Sequence, residues 1–167
     1  MKIAGFYDES ISNGLGWRAV LFVSGCPHHC PGCHNEVAQS YDYGKEFNEQ
    51  EILGRIQANS ILNGITISGG EPLCKENIAE VNKFIQDVRK VKPNFDVWCY
   101  TGYTLEELRE RNDDITNQAL QNIDVLVDGK FIQERKNPEI KFRGSDNQRI
   151  LDVPKCLKEK KAVMLEF

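Results

Sequence analysis

The chain has 167 residues, 40% of them apolar and 28% charged, with a formal net charge of −4. By length and composition this is an ordinary soluble globular domain, expected to span residues 1–167 as one unit. The acidic balance argues against nucleic acid or an anionic membrane surface as the main partner. No apolar run is long enough to span a bilayer, and residues 1–9 turn acidic before the core of a secretory signal can form. The expected location is therefore the cytoplasm, where six cysteines, three of them bunched, suit metal ligation better than disulfides.

Strand-like and helix-like stretches alternate along the chain. Residues 17–24 (Trp-Arg-Ala-Val-Leu-Phe-Val-Ser) are β-branched and aromatic, which predicts a buried strand. Asn48 followed by Glu51 has the form of a helix N-terminal box leading into Ile52, Leu53 and Ile56. Residues 65–68 predict a second strand. Asn77 is placed to cap a helix whose Ile78, Val81, Phe84, Ile85 and Val88 make an apolar stripe. Residues 97–100 form a third strand; Thr104 and Glu107 repeat the capping pattern before Leu105 and Leu108. Residues 123–127 give a fourth strand and 149–153 a fifth, and 155–161 read as a solvated helix end or tail.

This alternation is the pattern of parallel βα units, so the expected fold class is α/β with parallel βα repeats. A closed eight-fold barrel needs about 250 residues, so a barrel here is a partial, incomplete TIM-like one, or the sheet is open. In either case the functional edge lies beyond the carboxyl ends of the strands. The cysteine loop follows the first strand, Gly69-Gly70-Glu71-Pro72 the second, Thr101-Gly102-Tyr103-Thr104 the third, and Asp128-Gly129-Lys130-Phe131 the fourth.

The segment Cys26-Pro27-His28-His29-Cys30-Pro31-Gly32-Cys33 supplies three thiolates at tight spacing, with no fourth cysteine nearby. An iron–sulfur cube held wholly by protein takes four, so three leave one iron open for chemistry. Two bland readings stand beside this one. Structural zinc would recruit His28, His29 or His34, but such sites usually pair two separated knuckles and the chain has no second one. Cys74 in the neighbouring rim loop would close the cluster and make the protein an electron carrier. Cys99 and Cys156 read as buried thiols.

The other rim motifs each carry a structural alternative. Gly69 and Gly70 suit a tight strand-to-helix turn, or the close approach of a ligand to backbone, with Glu71 offering charge to an ammonium group. Asp128-Gly129-Lys130 reads as a solvated turn, or as Lys130 pairing with a ligand carboxylate while Asp128 orders a neighbouring donor. His34 is either an exposed loop residue or a flank for a bound nucleoside. Trp98, Tyr100 and Tyr103 read as packing residues. Residues 143–148 (Arg-Gly-Ser-Asp-Asn-Gln) read as a surface loop, with a lid or partner contact as the functional alternative.

Cys-x3-Cys-x2-Cys after one strand and Gly-Gly-Glu after the next together resemble the radical S-adenosylmethionine family. A longer run of segments narrows the resemblance: Asn13-Gly14-Leu15-Gly16, residues 21–26, residues 30–35, Thr101-Gly102-Tyr103, residues 125–131 and residues 143–148. Together they resemble the activating proteins of anaerobic ribonucleoside-triphosphate reductases. The resemblance implies that Cys26, Cys30 and Cys33 hold a [4Fe-4S] cluster whose open iron binds S-adenosylmethionine. It places Gly69, Gly70 and Glu71 at that cofactor's amino end, Gly32, Cys33 and His34 beside it, and Asp128 and Lys130 near it. It further implies an oxidoreductase that cleaves the cofactor to a 5′-deoxyadenosyl radical and installs a glycyl radical on the reductase's large subunit. The electron would come from a flavodoxin-like or other one-electron carrier. The alternatives carried forward are an activase for another glycyl-radical enzyme, such as pyruvate formate-lyase, and a closed-cluster electron-transfer protein.

Overall fold

The computed structural model of the protein describes residues 1–33 and 35–167. Its strands are β1 (Lys2–Ser10), β2 (Arg18–Val23), β3 (Lys45–Glu46), β4 (Gly64–Gly69), β5 (Asp96–Tyr100), β6 (Val125–Asp128) and β7 (Arg149–Asp152). The helices are α1 (Glu49–Ala58), α2 (Ile78–Val91), α3 (Leu105–Glu110), α4 (Asp114–Asn122) and α5 (Val153–Glu159). All the strands belong to one mixed sheet in the order β3-β1-β2-β4-β5-β6-β7.

The expected parallel repeat holds for the centre of that sheet. β2, β4, β5 and β6 pair in parallel, each joined to the next through helix. The flanks depart from it. β1 runs antiparallel to β2, β3 antiparallel to β1, and β7 antiparallel to β6. Residues 129–148, between β6 and β7, contain no α-helix, only the short 3-10 turn Gln133–Arg135, and β7 returns antiparallel rather than through a helical crossover. At that edge the tail after α5 continues the pairing: Leu165 N donates to Ile150 O at 2.8 Å and Asp152 N to Val163 O at 2.9 Å. At the opposite edge β3 is two exposed residues long.

Alternation along the central strands divides the sheet into two unlike faces. Ala19, Leu21, Val23, Ile65, Ile67, Val97, Cys99 and Leu126 join the main core with Ile52, Ile56, Val81, Phe84, Ile85, Val88, Leu108 and Leu120 from the helices. Fully burying each such aliphatic or aromatic side chain contributes about 1.5–3 kcal/mol. Among the described residues no helix contributes to the apolar cluster on the opposite face. Val20 lies across from Thr66, Thr66 from Trp98, and Trp98 from Val125; one step toward the carboxyl ends, Phe22 faces Ser68 and Tyr100 faces Val127. Trp98, Val125, Val127 and Ile150 make a small second cluster there, against Tyr100, Phe142 and Leu165.

Capping follows the sequence at two of the three expected sites. Asn48 Oδ1 accepts from Glu51 N at 3.2 Å and Thr104 Oγ1 from Glu107 N at 3.1 Å. Asn77 is the exception: its side chain makes no cap bond. Buried at 2% exposure, it instead donates to Ser24 O and Glu71 O, tying α2 to the rim.

Arg18 anchors the amino end of the open face. It is fully buried, and its guanidinium donates to Thr66 Oγ1 (2.8 Å), Leu15 O (2.9 Å), Ile65 O (2.6 Å) and Asp96 Oδ1 (2.7 Å). Thr66 Oγ1 in turn donates a hydrogen bond to Asn13 O at 2.7 Å, tying the Asn13–Gly16 loop to the sheet. Replacing Arg18 by Met strands these acceptors in a buried setting. Arg18→Met is expected to lose about 2–4 kcal/mol, read as a lowered urea midpoint at unchanged slope.

Candidate functional site

The parallel register brings the distinctive motifs to one rim. The cysteine loop leaves β2, Gly69-Gly70-Glu71 ends β4, Thr101-Gly102-Tyr103 follows β5, and Asp128-Gly129-Lys130 ends β6. β4 turns at Gly69, whose φ is +99° and whose hypothetical Cβ would sit 2.4 Å from Val23 N and O, so a side chain is excluded. Gly70 N then donates to Val23 O at 2.7 Å and Glu71 N to Gly25 O at 2.7 Å, locking the β4 rim to the start of the cysteine loop.

Above this rim lies a cavity of about 650 Å³. Cys26, Cys30 and Cys33 line it, together with Ser68, Gly69 and Gly70, Thr101 and Gly102, and Gly129. The sheet contributes Phe22, Tyr100 and Val127 as its floor. Further lining comes from residues the motif search passed over: Tyr7 on β1, Val37, Tyr43 and Phe142. Arg143, within the Arg-Gly-Ser-Asp-Asn-Gln segment, also lines it. That segment is stapled to the β6 rim, with Gln148 Nε2 donating to Gly129 O (3.0 Å) and Asn147 Nδ2 to Lys130 O (2.8 Å).

The two rim carboxylates turn inward. Glu71 is fully buried, and Oε1 accepts from Gly102 N at 2.7 Å and lies 2.8 Å from His28 Nε2. Oε2 accepts from Leu73 N at 2.8 Å, and Thr101 Oγ1 sits within 3.0 Å of both oxygens. Asp128, 1% exposed, accepts from Arg149 Nε at 2.9 Å and from Leu105 N at 2.8 Å, so it orders neighbouring donors and caps the start of α3. Lys130 is exposed beside the cysteine loop, and its charge is felt at Cys30. Gly32 turns at φ +75° against the Gln133 side chain. His34 lies outside the described residues.

Cys26 and Cys30 sit in a setting that disfavours the thiolate. Burial pushes Cys26 up to about 11, with the nearby Glu71 carboxylate adding to the effect and amide donors at His28 and His29 opposing it. Burial also raises Cys30, against the Phe131 amide and the Lys130 charge. A metal group binding here must displace protons. Among the described residues no three His, Cys, Asp or Glu side chains close on a single ion. What the rim offers is an all-thiol donor set spread around one cavity, which fits a cluster whose ligands stand further apart. Cys74 is 1% exposed, with its sulfur 3.8 Å from Tyr41 Oη, and it is not among the cavity-lining residues. Cys99 and Cys156 are fully buried, in line with their reading as packed thiols.

A family model described as "4Fe-4S single cluster domain" matches residues 12–151. The chain is 42% identical over 154 residues to the anaerobic ribonucleoside-triphosphate reductase-activating protein of Haemophilus influenzae, covering 90% of this chain and 97% of that one. It is 41% identical over 152 residues to the protein of the same name from Escherichia coli K12, covering 89% and 96%. The chain belongs to the family of anaerobic ribonucleoside-triphosphate reductase-activating proteins. The reductase-activating protein of bacteriophage T4 is 37% identical over 153 residues, covering 90% of this chain and 93% of its own. No helix among the described residues of this family member is long and apolar enough to cross a membrane.

The inward set of Asp128 gives a direct check. Asp128→Asn weakens the Arg149 fork and is expected to cost about 1–3 kcal/mol, seen in urea unfolding of the metal-free protein.

Proposed function

We propose that this protein activates an anaerobic ribonucleoside-triphosphate reductase by generating a glycyl radical on its large subunit. The observation that carries the reading is the meeting of Cys26, Cys30 and Cys33 with the Gly69-Gly70 edge in one cavity at the carboxyl rim of parallel strands. Activity on the reductase is what the names of the relatives describe, at identities near 40% over nearly the whole chain.

Cys26, Cys30 and Cys33 would hold a [4Fe-4S] cluster with one iron free of protein ligands. When bound, that cluster supplies the electron that cleaves S-adenosylmethionine to methionine and a 5′-deoxyadenosyl radical, which takes a hydrogen atom from glycine. The chain's own work is placement and exclusion of water. The Gly69-Gly70-Glu71 segment would stand at the amino end of S-adenosylmethionine, and Gly32, Cys33 and His34 would flank it. Lys130 stands on the rim as the cation for its carboxylate, and Asp128 fixes the rim behind Lys130. The parallel β2-β4-β5-β6 centre supports reading the sheet as an incomplete TIM-like barrel. Its open side admits a protein loop, which suits a macromolecular substrate better than a free small molecule. A flavodoxin-like carrier would deliver the electron in the cytoplasm. An activase for another glycyl-radical enzyme would use the same chemistry, and the relatives' names favour the reductase.

The test is an anaerobic mixture of reconstituted protein, S-adenosylmethionine, reductant and reductase, followed by electron paramagnetic resonance. A glycyl-radical doublet is expected, and it should vanish in Cys30→Ala. If 5′-deoxyadenosine forms with no doublet, the reductase is the wrong partner. If neither forms from an iron-loaded sample, the radical reading fails. Loss of the cluster in Cys74→Ser would instead support the closed electron carrier.

A further inference from the structure

The loop between the first two cysteines carries one buried polar side chain, and its contacts are unusually complete. The His28 side chain is 7% exposed, and its Nε2 lies 2.8 Å from Glu71 Oε1. With the carboxylate as acceptor, the imidazole proton sits on Nε2. Tyr103 packs edge-on against the ring at a centroid distance of 4.5 Å, and the Arg111 guanidinium lies 4.5 Å from the Tyr103 ring. Gly102 makes the slot possible: a Cβ there would fall 2.5 Å from His28 Cδ2.

Seen from the other end, Glu71 has no acceptor capacity left. A carboxylate offers about four lone-pair sites. Those of Glu71 are met by His28 Nε2, Gly102 N, Leu73 N and Thr101 Oγ1, at 2.7–3.0 Å, inside a fully buried environment. An incoming ammonium group would have to break one of these bonds and reach a side chain that exposes no surface.

We infer that Glu71 acts on the cluster through His28, as a latch holding the cysteine loop to the β4 and β5 rims, rather than by touching the ammonium group of the bound cofactor. The inference rests on the proposed cluster at Cys26, Cys30 and Cys33. His28 and Glu71 are positioning residues: they set where the thiols stand before iron arrives. The amino end of the cofactor is left to the backbone of the Gly69-Gly70 turn, which lines the cavity as the Glu71 side chain does not.

The experiment uses the full chain, reconstituted anaerobically with iron and sulfide. Cluster retention against a chelator, the resonance spectrum of the reduced cluster, and S-adenosylmethionine binding per loaded cluster are measured. His28→Ala is expected to weaken cluster retention by about 10- to 100-fold, the usual effect of removing a partner that orients a ligand. His28→Gln, whose amide can reach the same carboxylate, should restore most of it. Glu71→Gln should match His28→Ala in retention, and the double variant should be no worse than either single one. Binding of S-adenosylmethionine by whatever fraction stays loaded should be unchanged in all of them.

If Glu71→Gln keeps the cluster but loses S-adenosylmethionine, the carboxylate is a direct cofactor contact and the latch is overturned. Wild-type retention in His28→Ala, no rescue by His28→Gln, or additive losses in the double variant overturn it as well. Should a single variant fail to fold, judged by its urea midpoint, Gly102→Ala displaces the His28 ring while leaving both the His28 and Glu71 side chains and the Gly102 N–H in the chain, and must reproduce the loss of retention. A wild-type chain that takes up no cluster refutes the underlying iron–sulfur reading, a distinguishable failure.

Discussion

Everything at this site depends on four parallel strands being held in register. Parallel pairing sends the carboxyl ends of β2, β4, β5 and β6 to the same side, so the residues following each strand become neighbours though they are far apart in sequence. The register also decides which side chains share a row. Phe22 with Ser68, and Tyr100 with Val127, form a floor one step below the rim, and beneath it the Thr66–Trp98 row meets the buried Arg18 guanidinium. A one-residue slip in any pair would turn these rows toward the helices and break the cavity floor.

The asymmetry of the sheet's faces follows from how its connections are made. Each central crossover carries helix, and all of the helices deposit their apolar stripes on the same face, where the main core forms. The other face is filled differently at its two ends. Near the amino ends of the strands the Asn13–Gly16 loop and Arg18 close it with polar bonds, at some desolvation cost that five satisfied donors offset. Near the carboxyl ends it stays open, and the void is bounded by loops.

Much of this was legible in the sequence. The strands at 17–24, 65–68, 97–100 and 123–127 carry β-branched and aromatic runs that leave little room for another reading, and the rim motifs sit where a parallel sheet must put them. β1 was not legible, because register shifts between Ile3 and Gly5 and between Tyr7 and Ser10 break the two-residue period by which a strand is recognised. β3 is too short to leave a pattern, and α4 lies behind an Asp113 cap hidden in an acidic run. Charge is visible in sequence but direction is not. Glu71 reads as charge offered to an ammonium group, yet it points into the protein, where backbone amides and His28 satisfy it; Asp128, read as ordering a neighbouring donor, accepts from Leu105 N and Arg149 Nε. Asn77 likewise reads as a helix cap and serves as a donor to the rim.

The two edges of the sheet have a bearing on how the protein meets other chains. Unpaired strand edges are templates that recruit further strands, and proteins blunt them with short strands, charge or added cover. Here β3 offers only Lys45 and Glu46, one charge of each sign, while the far side of β7 is occupied by the chain's own tail at Val163 and Leu165. The β7 border is covered in this way; at the other, β3 pairs only Lys2 and Ile3, and beyond them the outer edge of β1 has no strand partner among the described residues. Edge-to-edge growth is thereby discouraged at β7, whereas the loops around the open face offer a visitor shape and side chains rather than a backbone ladder.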